Sequence, residues 1–421
     1  MSLNMLARRA ALAVAGAFVL AFCISCRDTT APVRRFAVLD DVGQSDWASV
    51  SAGGDHTCAI KTDGTAYCWG SNQYGQLGLA RTDTACGLKG NKYACSLTPQ
   101  LVPGGLKFSS ISAGQRHTCA ITTDRRAFCW GGNDAGQVSD IGNGGPTMMQ
   151  VPGTLPWVQV SAGYTHSCAV RSDGVLFCWG SNDRGQLGNG GVGSGNGLVR
   201  ASLSGAVASV ATGQSRTCAR TTSGSVFCWG AIWQYRQNGL EFTRAQVTPQ
   251  AVPGAPSLAS VTVGSFTTCG TDRTGLAYCW EANPRGGMGT GTLDGSTTPE
   301  PIAGALQFVQ MTAGILQTCG LSTSGTAYCW GDNSFGQLGV PGSALAERCV
   351  DGTLPCATRP VAVVGRQQFE EISTGFGSHT CGVTLKGNLY CWGLGGSGQR
   401  GDGSMSNASA TPIRVTEPPR A

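Results

Sequence analysis

The sequence predicts an all-β protein: a seven-bladed β-propeller of four-stranded blades, closed by the C-terminal strand, with one hairpin disulfide per blade. Two observations carry this. The 421-residue chain is rich in glycine (64 residues) and poor in charge (13%), a composition that suits many short strands joined by tight turns. In addition, two cysteines separated by nine residues, the second followed by Trp, recur seven times. They are Cys58 with Cys68, Cys119 with Cys129, Cys168 with Cys178, Cys218 with Cys228, Cys269 with Cys279, Cys319 with Cys329, and Cys381 with Cys391. A repeat of about 50 residues with room for four short strands is the size of a propeller blade.

Each cysteine pair reads as a hairpin. In Cys58-Ala-Ile-Lys-Thr-Asp-Gly-Thr-Ala-Tyr-Cys68 a three-residue turn, Thr62-Asp63-Gly64, joins two extended runs. Gly64 supplies the left-handed position. Glycine recurs there at 174, 224, 275, 325 and 387, while Arg125 is the exception and is expected to be strained. Counting outward from the turn sets Cys58 opposite Cys68, close enough for a disulfide at a non-hydrogen-bonded pair. Free thiols or zinc ligands are the alternative; zinc favours closer ligand spacing and often histidine. Two repeat intervals are long, and each contains an additional pair, Cys86 with Cys95 and Cys349 with Cys356. Eighteen cysteines are thereby paired, which implies an oxidising compartment.

The N-terminus predicts export. Arg8 and Arg9 precede an unbroken apolar run from Ala10 to Ile24, the length of a signal-peptide core. The segment ending at Cys26 is similar to a lipoprotein signal, so Cys26 is a candidate lipid attachment, with plain cleavage as the alternative. The expected organisation is a signal over 1–26, a tether over 27–46, the propeller over 47–415 and a tail over 416–421. The short strand Thr411-Pro-Ile-Arg-Val415, which no hairpin follows, is expected to join the first blade and close the ring. On these grounds the expected location is a bacterial outer-membrane or cell-surface lipoprotein, or otherwise a periplasmic or secreted protein. Membrane contact would come only through the N-terminal lipid.

Around the hairpins the units share Val-Ser-Ala-Gly-x-x-His-Thr-Cys-Ala and Cys-Trp-Gly-x-Asn-x-x-Gly-Gln-Leu-Gly, seen in full at Val50–Ala59 and Cys68–Gly78 and closely at Val160–Gly188 and Met311–Gly339. Repeats four and five drift: Trp233-Gln-Tyr-Arg replaces the usual loop and Glu281 the glycine after Trp. These motifs resemble the regulator of chromosome condensation repeat family over about 47–415, and the resemblance implies a seven-bladed propeller. As a bacterial exported member, the chain is expected to be similar in fold to beta-lactamase-inhibitor protein II.

Catalysis finds no support. No nucleophile elbow, zinc-protease motif, phosphate loop or dinucleotide fingerprint is present, so no enzyme activity, cofactor or metal is expected. The net charge of +5 shows no basic run with interleaved aromatics, which gives nucleic-acid binding no footprint. The four histidines, His56, His117, His166 and His379, all stand two residues before a repeat cysteine. A shared position predicts a shared structural role; a metal-binding ring is the alternative.

Binding is the remaining class. The two residues before the histidine position vary between repeats, giving candidate loop tips at Arg116, Tyr164, Phe266, Leu316 and Phe376, with Trp233 and Tyr235 an aromatic pair in an irregular loop. They read either as a recognition surface on one face or as relaxed loop drift. The expected partner is an envelope or extracellular protein; the alternative is a cell-surface polysaccharide-binding module or hydrolase, through sugar stacking on aromatic tips, although no paired carboxylates are placed for glycoside hydrolysis. Guanine-nucleotide exchange, which the family's namesake performs on the GTPase Ran, is disfavoured by the expected export. The tryptophan-bearing loops of the plant UV-B photoreceptor are absent.

Overall fold

The computed structural model describes residues 45–418 apart from 83, 88–90, 140–143, 155, 194 and 237–238. The segment expected to be a signal, with Cys26, lies outside the described residues.

Seven antiparallel sheets follow one another along the chain, each built from a contiguous stretch of sequence. In blade 1 the inner strand is Trp47–Ala52, the second His56–Lys61, the third Ala66–Ser71 and the fourth Tyr93–Leu101. The short strand Thr84–Cys86 adds to the outer edge of blade 1, and Arg348–Cys349 does the same in blade 6. Up-and-down order puts the first-to-second and third-to-fourth connections at one end of every blade, here the loop end. The hairpin turns and the links to the next blade lie at the other, the turn end.

The hairpin register is the one the sequence implies. Cys58 pairs with Cys68 and Lys61 flanks the turn across from Thr65. All seven expected hairpin disulfides form. Cys58 is bonded to Cys68, Cys119 to Cys129, Cys168 to Cys178, Cys218 to Cys228, Cys269 to Cys279, Cys319 to Cys329 and Cys381 to Cys391, with Cα–Cα distances of 4.0–4.1 Å. The zinc and free-thiol alternatives for these cysteines therefore fall away. In the insertions Cys86 is bonded to Cys95 and Cys349 to Cys356, at 5.7 Å.

The left-handed turn residue has a second role. Its conformation aims its carbonyl at the next blade, where it accepts the first inner-strand N–H. The bonds run from Phe108 to Gly64, Trp157 to Arg125, Val207 to Gly174, Leu258 to Gly224, Phe308 to Gly275, Phe369 to Gly325 and Trp47 to Gly387, at 2.7–3.2 Å. Arg125 holds this conformation without glycine, at φ 66°.

The last of these bonds closes the ring, but not as expected. The C-terminal strand Ala408–Arg414 pairs with Leu389–Leu394 as the outer strand of blade 7, and does not enter blade 1. Blade 1 already has its four strands, so no place is vacant. The residues beyond that strand make the crossing: the Glu417 carboxylate accepts from Trp47 Nε1 at 3.1 Å and from the Ser45 hydroxyl, and faces Lys61 at 3.8 Å.

Hydrophobic clusters bridge adjacent blades rather than filling a single centre; one joins Trp47, Val50 and Trp69 of blade 1 to Val383 and Leu389 of blade 7. A second irregularity lies in blade 4. The segment expected as an irregular loop is a continuous strand, Val226–Arg236, paired with Gly239–Ala251 in a long hairpin at the loop end.

Each hairpin disulfide closes a short loop that the local strand pairing already constrains. Replacing Cys168 and Cys178 together by Ala is therefore expected to cost at most about 2–3 kcal/mol, read as a urea midpoint shift with the fold retained in circular dichroism.

Candidate functional site

The loop end is built on a repeated polar latch. In blade 1 the Asn72 side chain accepts from Leu77 N at 3.1 Å and donates to Leu79 O at 2.8 Å, while Gln76 Oε1 accepts from Tyr74 N at 2.9 Å. Asn133 and Gln137, and Asn333 and Gln337, brace their loops in the same way. The braced loop presents its Gln76 carbonyl to blade 2, where it accepts from Trp130 Nε1 at 3.0 Å and from the Thr118 hydroxyl at 2.9 Å. Gln137, Gln186, Gln337 and Gln399 repeat this double acceptance, as does Gly287 in blade 5. The seven repeat tryptophans are thus packing residues, at most 3% exposed.

The histidines complete the latch. His56 Nε2 lies 2.9 Å from Thr118 Oγ1, His117 Nε2 2.8 Å from Ser167 Oγ, His166 Nε2 2.9 Å from Thr217 Oγ1, and His379 Nε2 2.9 Å from Thr57 Oγ1. A hydroxyl has one proton, and Thr118 commits it to Gln76 O. Nε2 must therefore be the donor, which fixes the neutral tautomer. Burial pushes His56, His117 and His166 down to about 3 and His379 to about 4; neighbouring histidines add to the effect at His56 and His117. Among the described residues no group of three or more metal-ligating side chains exists, and each histidine makes its bond to a different blade. The glycine of Gly-x-x-His is required by close approach: a Cβ on Gly53 would lie 2.6 Å from both His56 Cε1 and Gly114 O.

The candidate tips stand where these loops converge on the axis. Gly54 N donates to Gly114 O, Gln115 N to Gly163 O, Tyr164 N to Gly213 O and Ser265 N to Gly314 O, at 3.0–3.1 Å. These main-chain bonds string neighbouring tips into part of a circlet. Tyr164 of blade 3 and Phe376 of blade 7 meet across it edge to face, centroids 6.2 Å apart at 81°. Arg116 is exposed and lies over the Tyr74 ring at 4.7 Å, 3.9 Å from Asp134. Phe266 and Leu316 are half-buried on the same rim. Trp233 and Tyr235 lie on the blade 4 hairpin, but their side chains fall outside the described residues. A sugar-stacking reading needs open aromatic faces, and the edge-to-face contact of Tyr164 with Phe376 covers one face of one of the two rings.

The sequence model of the regulator of chromosome condensation (RCC1) repeat matches residues 47–76, 108–137, 157–186, 207–231, 308–337 and 369–399, and a second RCC1-repeat model matches 63–121. Six of the seven repeats are thus matched by RCC1-repeat models, and the fifth alone is unmatched. Among relatives, the ultraviolet-B receptor UVR8 of Arabidopsis thaliana is 33% identical over 100 residues, 24% of this chain and 21% of that protein. The X-linked retinitis pigmentosa GTPase regulator homolog of Caenorhabditis elegans is 38% identical over 91 residues, 21% of this chain and 6% of that protein. These alignments span only a small part of the relatives' length. Among solved structures, Prp20p of Saccharomyces cerevisiae, described with its binding to Gsp1p and histones, superposes with a TM-score of 0.71 at 22% identity, covering 88% of each chain. Human WBSCR16 does so at 0.65 and 20% identity, covering 80% of this chain and 85% of that one.

This kinship corrects several expectations. These relatives and solved structures are eukaryotic proteins, not bacterial exported propellers of the beta-lactamase-inhibitor kind. The exported lipoprotein, the envelope or periplasmic location and the envelope or glycan partner are accordingly withdrawn. The physical reason lies in the cysteines: a bond across a hairpin, such as Cys119 to Cys129 or Cys381 to Cys391, follows from strand register. It records the pairing rather than the address.

Four histidines held neutral give a directional pH dependence. Their folded pKa values lie below the unfolded value of about 6.5, so their stabilisation is complete above that value and is lost as pH falls toward about 3. Urea midpoints are expected to fall steadily between pH 6.5 and 4. In His117→Gln, which copies Gln317 of blade 6, the decline is expected to be shallower, with a lower midpoint at pH 7.5.

Proposed function

We propose that the chain is a GTPase-docking propeller, a regulator that engages a small guanine-nucleotide-binding protein through its loop end. The observation that carries the reading is the asymmetry of the ring. At the turn end, seven short turns of one design are bonded blade to blade. At the loop end the connections diverge, with the disulfide-stapled insertions of blades 1 and 6, the long hairpin of blade 4, and the rim of Arg116, Tyr164, Phe266, Leu316 and Phe376. A rigid frame that concentrates its variation at one end is suited to recognition. The kind of partner is supported by the relatives, among them a GTPase regulator homolog and Prp20p, described with its binding to Gsp1p.

The test is release of a fluorescent GDP analogue from purified Ran-type GTPases. Residues 45–418 are expected to accelerate release and to co-elute with the responding GTPase. Arg116→Glu is expected to weaken that capture about tenfold, or ~1.4 kcal/mol, with an unchanged melting temperature because the side chain is exposed. Unaltered release together with no co-elution at micromolar concentrations rejects the reading.

A further inference from the structure

Three sets of side-chain bonds join the blades of the ring, and among the described residues one junction lacks them all. The first set is the double acceptance by the loop carbonyl. Between blades 4 and 5 the loop that would supply it is replaced by the long hairpin, and Trp280 Nε1 is left without a partner although the side chain is 1% exposed.

The second set joins inner strands: a hydroxyl of one blade accepts a main-chain N–H of the next. Ser51 accepts from Ala113, Ser112 from Ala162, Ser161 from Thr212, Thr262 from Ala313, Thr312 from Thr374 and Ser373 from Ala52, at 2.9–3.3 Å. Ala211 stands at this position in blade 4, so Val263 of blade 5 has no hydroxyl to meet.

The third set is the histidine bond. Blade 4 carries Arg216 in that position, which donates to Ala231 O within its own blade and pairs with Glu281 of blade 5. Glu281 occupies the glycine position after Trp at φ 88°. Among the described residues, what is seen across this junction is the Arg216–Glu281 ion pair, the turn-end bond from Leu258 N to Gly224 O at 3.0 Å, and apolar packing. The junction between blades 7 and 1, where the last blade meets the first, keeps all three sets.

We infer that the ring has a built-in seam between blades 4 and 5, and that it opens there, not where its ends meet. Closure between blades 7 and 1 keeps the three sets of a regular junction, while among the described residues the seam has in their place the Arg216–Glu281 ion pair beside the turn-end main-chain bond. This holds whatever the partner is.

Residue-resolved hydrogen exchange tests the seam. The Leu258 amide donates across it, whereas the adjacent Ala259 amide donates to Thr271 O within blade 5 at 2.7 Å. Leu258 is expected to exchange at least about tenfold faster than Ala259 and than the equivalent donors Trp47, Phe308 and Phe369, since exchange follows local opening. Ala211→Ser, which restores the missing hydroxyl, is expected to slow Leu258 several-fold and leave Phe308 unchanged. Trp280→Phe is expected to lower the melting temperature less than Trp130→Phe. A Leu258 rate no faster than that of Trp47 or Phe308, an Ala259 rate equal to that of Leu258, or no response to Ala211→Ser overturns the inference.

Discussion

The carbonyl of the Gly-Gln loop is the joint on which the ring depends. A backbone oxygen has two lone pairs, and here both are used by the next blade, one by an indole N–H and one by a hydroxyl. Buried donors of this kind are costly to leave unpaired, so each blade is incomplete until its neighbour is in place. The motif's residue types follow from that one requirement. Asn and Gln hold the loop still, Trp and Thr read its carbonyl, and His orients the hydroxyl by donating to it. The glycine before His lets the ring and the neighbouring main chain approach.

Blade 7 shows how the joint survives a change of parts. Gly395 stands where the loops of blades 1, 2, 3, 5 and 6 have Asn, and Arg400 where they have Leu, Val or Met. The guanidinium is fully buried and holds the loop from within, donating to Gly393 O and Ser406 O and pairing with Asp402. The loop is braced by different chemistry, yet Gln399 O still accepts from Trp69 and Thr57. What is kept is the position of an oxygen, not the residue that secures it.

Local features were legible in the sequence and distant ones were not. The spacing of each cysteine pair gave the hairpin register, and the turn composition singled out Arg125 as the non-glycine left-handed residue. The shared position of the four histidines pointed to one structural role, but not to its partner, because His56 and Thr118 are far apart in the chain and meet only across a blade boundary. The edge-to-face contact of Tyr164 with Phe376 joins blades four repeats apart, and no period announces it. The blade 4 hairpin was hidden for the opposite reason: its sequence departs from the repeat, so comparison between repeats gave no template. Cysteine parity carried the reading of location too far, since it reports pairing alone.

The clasp made by Glu417 also fixes where the two ends of the described chain leave the ring. Ser45 and Glu417 are in contact, and both lie at the turn end, beside the start of the first inner strand. A carrier domain, surface linker or label fused at either position therefore emerges from the side away from the varied loops. The same adjacency makes the molecule a candidate for circular permutation: a short linker between these ends, with new termini cut in any of the turn-end links between blades, keeps all seven sheets whole.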